Sequence, residues 1–290
     1  MANLIILYED FIASGTVSGG SYEVGLPVTN VQNQRLGVVA RTTDALAAST
    51  RIDFDYGVER RTDVIVLGVP NASPGAQYRV RMYSDSGRTV VTYDSGWKDL
   101  PGVVIDSLDL EWEDPGFWYG INTEELLVEF STWIVEVIPE ASASDARQRW
   151  GRIEVLDESN ADGYLDFSRL MGGRAFKPAV NYSEDNSFGL SELTDASESL
   201  GGQRSYFERG IRRTLRLALP YGNSWDEAFD SVLRMMVKAR TSRQVFVIPD
   251  YEDTEFLQVR SFLATFKQVP AIQQLLVDRS STLVDVEEVL

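Results

Sequence analysis

Gln77–Tyr83 places Tyr78, Val80 and Met82 on one side and Arg79, Arg81 and Tyr83 on the other. This period of two restricts the segment to a pleated strand with one wet face. The pattern recurs through the first 175 residues. Arg51–Tyr56 sets Ile52, Phe54 and Tyr56 on one face and is expected to stop at Gly57. Asp63–Val69 is a nearly continuous apolar run, as a central strand requires. Thr89–Tyr93 ends at the turn Asp94-Ser95-Gly96, and Thr132–Ile138 and Arg152–Leu156 continue the series. Short strands punctuated by turn residues predict an antiparallel β-sandwich or barrel. A helical period is weak here and confined to Thr123–Phe130.

The composition changes between about Asn181 and Arg204, where Ser, Glu, Asp, Asn and Gly dominate. Such a stretch is a linker, a flexible arm or a long hairpin loop. Beyond it, Ser224 precedes Glu227 at capping-box spacing. Trp225, Ala228, Phe229, Val232, Leu233, Met236 and Val237 then recur at helical spacing. They predict one amphipathic helix over about 225–240. Strands are expected around it at Arg213–Leu219, Gln244–Ile248, Ser261–Gln268, Gln273–Val277 and Thr282–Val286. The expected architecture is mainly β: an N-terminal sandwich over 1–175 and a smaller α+β domain with one helix over 176–290, including the polar stretch 181–204.

Composition removes several function classes. The chain has no cysteine and no histidine. Disulfides, thiolate nucleophiles, Cys- or His-based metal sites and Ser-His-Asp triads are therefore excluded. Lys plus Arg is 27 against 44 Asp plus Glu, a net charge of −17. That balance opposes binding to nucleic acid or an anionic membrane. No stretch has the ~18 apolar residues of a membrane helix. Met1–Asp10 lacks a basic region followed by a long apolar run, so no signal peptide is expected and synthesis belongs in a cytoplasm.

Four features carry possible chemistry. Trp112, Phe117, Trp118 and Tyr119 lie among carboxylates in one segment. They suit a core-packed loop, a protein interface or a sugar platform. Asp157-Glu158-Ser159-Asn160-Ala161-Asp162-Gly163 has oxygen ligands ending in Asp-Gly. Its spacing departs from the EF-hand loop, and it also fits a plain turn, so neither metal nor cofactor is expected. The abundant carboxylates include pairs by chance, which gives a glycosidase little support. Arg209, Arg212 and Arg213 form a basic cluster in an acidic chain. They either meet a neighbouring subunit's acidic face or pair with the chain's own carboxylates. Gly172-Gly173 and Gly201-Gly202 lack the strand-to-helix setting of a phosphate loop and read as turns.

Several segments together resemble tail-tip or baseplate proteins of long-tailed bacteriophages. They are Asn3-Leu4, Gly25–Val31, Arg41-Thr42-Thr43 and Arg51–Gly57, then Arg79–Tyr83 with Tyr93–Trp97. Gly151–Val155, Asp157, Asn160, Asp162-Gly163-Tyr164, Arg169–Gly172, the C-terminal helix and Asp285–Leu290 complete the resemblance. It implies a galactose-binding-like, discoidin-like jelly roll over 1–175. It also implies a non-enzymatic structural subunit of the virion tail tip, whose partners are other tail proteins and copies of itself. The alternative is a glycan-binding module for attachment to a host surface. Modules of this type often bind glycans, sometimes with calcium, but no ligand-binding residue of the family has a specific match in this sequence.

Overall fold

A computed structural model describes residues 3–73, 75–100, 132–139, 147–178, 180–183, 186–198, 201–207, 210–222, 225–253, 257–276 and 279–290. The chain is mainly β, with antiparallel sheets and, among the described residues, one long helix. It divides into two units. One comprises Leu7–Ala175 and Asp250–Arg260; the other comprises Met1–Ile6, Phe176–Pro249 and Ser261–Leu290.

The first unit is a sandwich. Its strands are β1 (Ile5–Asp10, from Leu7 onward), β2 (Thr16–Ser18), β3 (Ala40–Arg41), β4 (Arg51–Arg60), β5 (Val64–Gly68) and β6 (Gln77–Tyr83). They continue with β7 (Val91–Asp94), β8 (Lys98–Asp99), β9 (Trp133–Val137), β10 (Gln148–Leu156), β11 (Asp166–Phe167) and β12 (Leu170–Phe176). One sheet runs β2-β4-β10-β6-β7, with β8 on β6. Facing it, β5 pairs with β12 on one side and β9 on the other. The alternation read in the sequence sets the core. Ile52, Phe54 and Tyr56, Tyr78, Val80 and Met82, and Ile153 and Val155 point inward onto Ile65, Leu67, Ile134 and Leu170. β5 is buried along its whole length, which explains its continuous apolar sequence.

β4 does not stop at Gly57. Gly57 adopts φ +77°, which a glycine takes without strain, and donates its N–H to Asp55 Oδ1 at 2.7 Å. The extra residues bulge while the strand resumes, so Gln148 opposes Arg60 and Trp150 opposes Asp55. Gly151, next to that bulge, makes room for a neighbour: a Cβ there would stand 2.1 Å from the Phe54 ring.

The second unit contains β13 (Ser187–Glu192), β14 (Asp195–Glu198), β15 (Arg204–Phe207), β16 (Ile211–Gly222), helix α1 (Trp225–Ala239), β17 (Val245–Ile248), β18 (Phe262–Phe266), β19 (Ile272–Leu276) and β20 (Arg279–Glu288). Within it the sheet order is β13-β16-β20-β18-β17, with β19 also on β20. Residues inside the polar stretch 181–204 thus form strands, β13 pairing with β16 and β14 with β15. α1 turns Val232, Met235 and Ala239 into the interior. Leu233 and Val237, which the helical spacing had put in the same apolar stripe, are exposed. The buried face is rotated relative to the predicted one because Met235 and Ala239 supply the inward positions instead.

Candidate functional site

A network of polar side chains lies where loops meet at one part of the sandwich unit. β3 and β11 pair directly, with Asp166 opposite Arg41 and Phe167 opposite Ala40. Ala40 and Phe167 are buried, so Arg41 and Asp166 must point outward. They form a two-pronged fork: Arg41 Nε and Nη2 each donate to one Asp166 carboxylate oxygen at 2.8 Å. The Arg41 guanidinium also stands 4.1 Å over the centre of the Tyr164 ring. The hydrogen bond to Asp166 raises the guanidinium pKa further above its already high value, so its charge is permanent.

Asn71, on the loop between β5 and β6, braces this fork. Its amide donates to Asp162 Oδ2 at 3.2 Å and to the Tyr164 carbonyl at 3.0 Å. Its Oδ1 accepts from the Asp166 N–H at 2.8 Å. Below it, Asn160 Nδ2 donates to the Asn71 carbonyl at 2.7 Å and to Asp157 Oδ2 at 2.9 Å. Asp157 Oδ2 also accepts from the Ser73 N–H, and Asn160 Oδ1 from the Asp162 N–H, both at 2.9 Å. Gly163 closes the loop at φ +72°. The oxygen-rich segment 157–163 therefore spends these oxygens on the chain's own N–H groups, as a structured turn does. Among the described residues, no group of three acidic side chains is placed to hold a cation.

An arginine–carboxylate pair, a carboxamide and an aromatic ring thus share one partly exposed surface. Arg41, Asp166 and Asn71 are oriented by hydrogen bonds, and the Tyr164 ring lies under the guanidinium. Such a surface can bind hydroxyl-bearing ligands without first ordering its own side chains.

The residues singled out in the sequence fall elsewhere. Trp112, Phe117, Trp118, Tyr119 and Arg209 lie outside the described residues. Arg212 Nη1 donates to Glu287 Oε1 at 2.7 Å. Arg213 is fully buried; its guanidinium pairs with Glu288 and stands 4.9 Å from the centre of the Phe262 ring. The Arg213 main-chain N–H donates to Glu288 Oε2 at 2.8 Å. Both arginines meet carboxylates of their own chain.

No family model matches the chain, and no curated protein matches it in sequence. Solved structures resemble it at low identity. A family 89 glycoside hydrolase from Clostridium perfringens, in complex with 2-acetamido-1,2-dideoxynojirmycin, is 12% identical with a TM-score of 0.36 over 57% of this chain. The match spans only 14% of that hydrolase. The family 32 carbohydrate-binding module of C. perfringens NanJ, in complex with galactose, is 12% identical with a TM-score of 0.35, covering 58% of this chain and 98% of the module. A mutant lectin-binding domain of lectinolysin, complexed with Lewis b, is 13% identical with a TM-score of 0.35, over 57% of this chain and 96% of that domain.

Proposed function

We propose that this chain is a non-catalytic glycan-recognition protein whose sandwich unit presents the recognition surface. The observation that carries the reading is the Arg41–Asp166 fork stacked on Tyr164 and braced by Asn71. Sugars are bound through hydroxyl groups that need both donors and acceptors, and through C–H faces that suit aromatic rings. Each Asp166 oxygen accepts one hydrogen bond from Arg41 and keeps acceptor capacity for a ligand hydroxyl. The test is a glycan array with the full chain, followed by Tyr164→Ala and Asn71→Ala. Saturable binding that weakens in both variants is the expected result, with Tm retained in Tyr164→Ala and lowered in Asn71→Ala, which loses three hydrogen bonds. No saturable binding up to millimolar sugar would sink the reading.

A second reading, as a structural subunit of a long-tailed phage's tail tip, is favoured by a different observation. β14 and β15 form a two-stranded sheet of their own, with Tyr206 and Phe207 exposed. A lone two-stranded ribbon is marginally stable in water, and exposed aromatics on one suit burial against another protein. This reading predicts that Tyr206→Ser with Phe207→Ser leaves the chain folded but absent from assembled particles. Unchanged incorporation would count against the ribbon as the attachment point, and absence of the wild-type chain from particles against the reading itself.

A further inference from the structure

Arg88 lies in the turn between β6 and β7 with φ +55°, a left-handed backbone that a side chain disfavours. Its Nε stands 3.6 Å from Asp53 Oδ1 on β4, across the intervening β10. The same carboxylate receives Arg152 Nε at 2.6 Å and has Arg51 Nε at 3.6 Å. Three guanidinium groups thus converge on one carboxylate. Nearby on these strands Arg81 pairs with Glu154 and Arg79 with Asp94. With Asp85 of the Arg88 turn counted, five arginines face four carboxylates. Asp85, in the same turn as Arg88, is committed to the Thr89 and Val90 amides at 3.0 and 2.7 Å.

This local positive surplus occurs in a chain of net charge −17. The Nε atoms of Arg51 and Arg88 face the buried Asp53 carboxylate, while the side chains are 36% and 22% exposed and so leave the outer part of each guanidinium open to a ligand. Their separation from Asp53 is too long for a hydrogen bond. Converging guanidinium forks with unmet donors and surplus charge match one class of group, an oxyanion.

We propose that Arg51 on β4 and Arg88 in the β6–β7 turn, held in place by the Arg152–Asp53 pair, bind the carboxylate of an acidic saccharide. The site is distinct from the Arg41 surface. It rests on the glycan reading for the kind of ligand and on the arginine geometry for its charge. Arg152, already paired with Asp53, positions the cluster; Arg51 and Arg88 meet the ligand.

Calorimetric titration of the full chain with glucuronic acid, glucose and inorganic phosphate tests this. The variants are Arg88→Asn, which keeps a residue tolerant of positive φ, and Arg51→Gln; Tm is recorded for each. The expected result is that glucuronate binds, glucose binds at least about tenfold more weakly at this site, and either variant weakens glucuronate about tenfold. Added salt should weaken glucuronate as well. Phosphate binding as well as glucuronate, with loss in both variants, would support the oxyanion site and remove the saccharide as its source. Glucuronate binding that both variants leave intact would overturn the site. Neutral-sugar binding with no anion binding would overturn it too, while leaving the glycan reading standing.

Discussion

Asp94 and Asp55 show how single residues tie the stability of the sandwich to pH. A hydrogen bond from Arg79 holds the Asp94 carboxyl below the usual carboxylate range, and one from Arg149 does the same for Asp55. A folded state with lowered pKa binds fewer protons than the unfolded chain just below the ordinary value of 3.8. These pairs therefore stabilise the fold above that pH, and their contribution is lost as pH falls through the lowered values. Asp10 has the opposite sign. Burial raises its pKa against the pull of Arg169, so its contribution weakens as pH rises through that value. Thermal unfolding from pH 7 to 2 is expected to show Tm falling on the acid side. Arg79→Gln with Arg149→Gln should lower Tm at pH 7 and flatten that fall. An unchanged acid limb in the double variant would refute the assignment. The pairs are partly exposed, so the effect should shrink as salt is added.

At the scale of elements, α1 makes the sharpest prediction. Met235 is fully buried and Leu233 is 40% exposed. Met235→Ala should cost about 2–5 kcal/mol, and Leu233→Ala no more than about 0.5 kcal/mol. Urea midpoints distinguish them, and equal losses would mean that the helix face has been misassigned. The sequence contains this helix clearly, because its spacing holds over several turns. It does not fix the rotation, since apolar residues lie on more than one side and only packing selects among them. Strands read well where polar and apolar residues alternate, as in β6, and β5 read well as an apolar run. Gly57 misled as a stop because a glycine that ends a strand and one that bulges it look the same locally. The Arg41–Asp166 surface was not legible as a site. Arg41, Asn71 and the Tyr164–Asp166 pair come from three widely separated parts of the chain, and nothing in their spacing ties them together. What joins them is the pairing of β3 with β11, two strands too short to announce themselves by period.

At the scale of the whole molecule, the units interleave in sequence. Asp250–Arg260 belongs with the sandwich although most of the chain around it does not. Within that stretch, Gln258 Oε1 accepts from the Trp133 N–H at 2.8 Å, and its Nε2 donates to the Trp133 carbonyl. A fragment of residues 1–175 lacks this partner and should unfold at lower temperature than the sandwich in the full chain. Gln258→Ala in the full chain should cost about 1–3 kcal/mol by leaving buried main-chain groups unmatched. A fragment with the full-length Tm would show that the later stretch contributes nothing to the sandwich.

The chain passes from one unit to the other at four places, after Ile6, Ala175, Pro249 and Arg260. A single genetic crossover therefore cannot transplant either unit intact. Recombination would carry one unit's fragments into a foreign partner, so the gene should be inherited as a block. On the proposed glycan reading, new specificities would then arise by substitution in place, at surface positions such as Arg41, Asn71 and Tyr164, rather than by shuffling of ready-made modules.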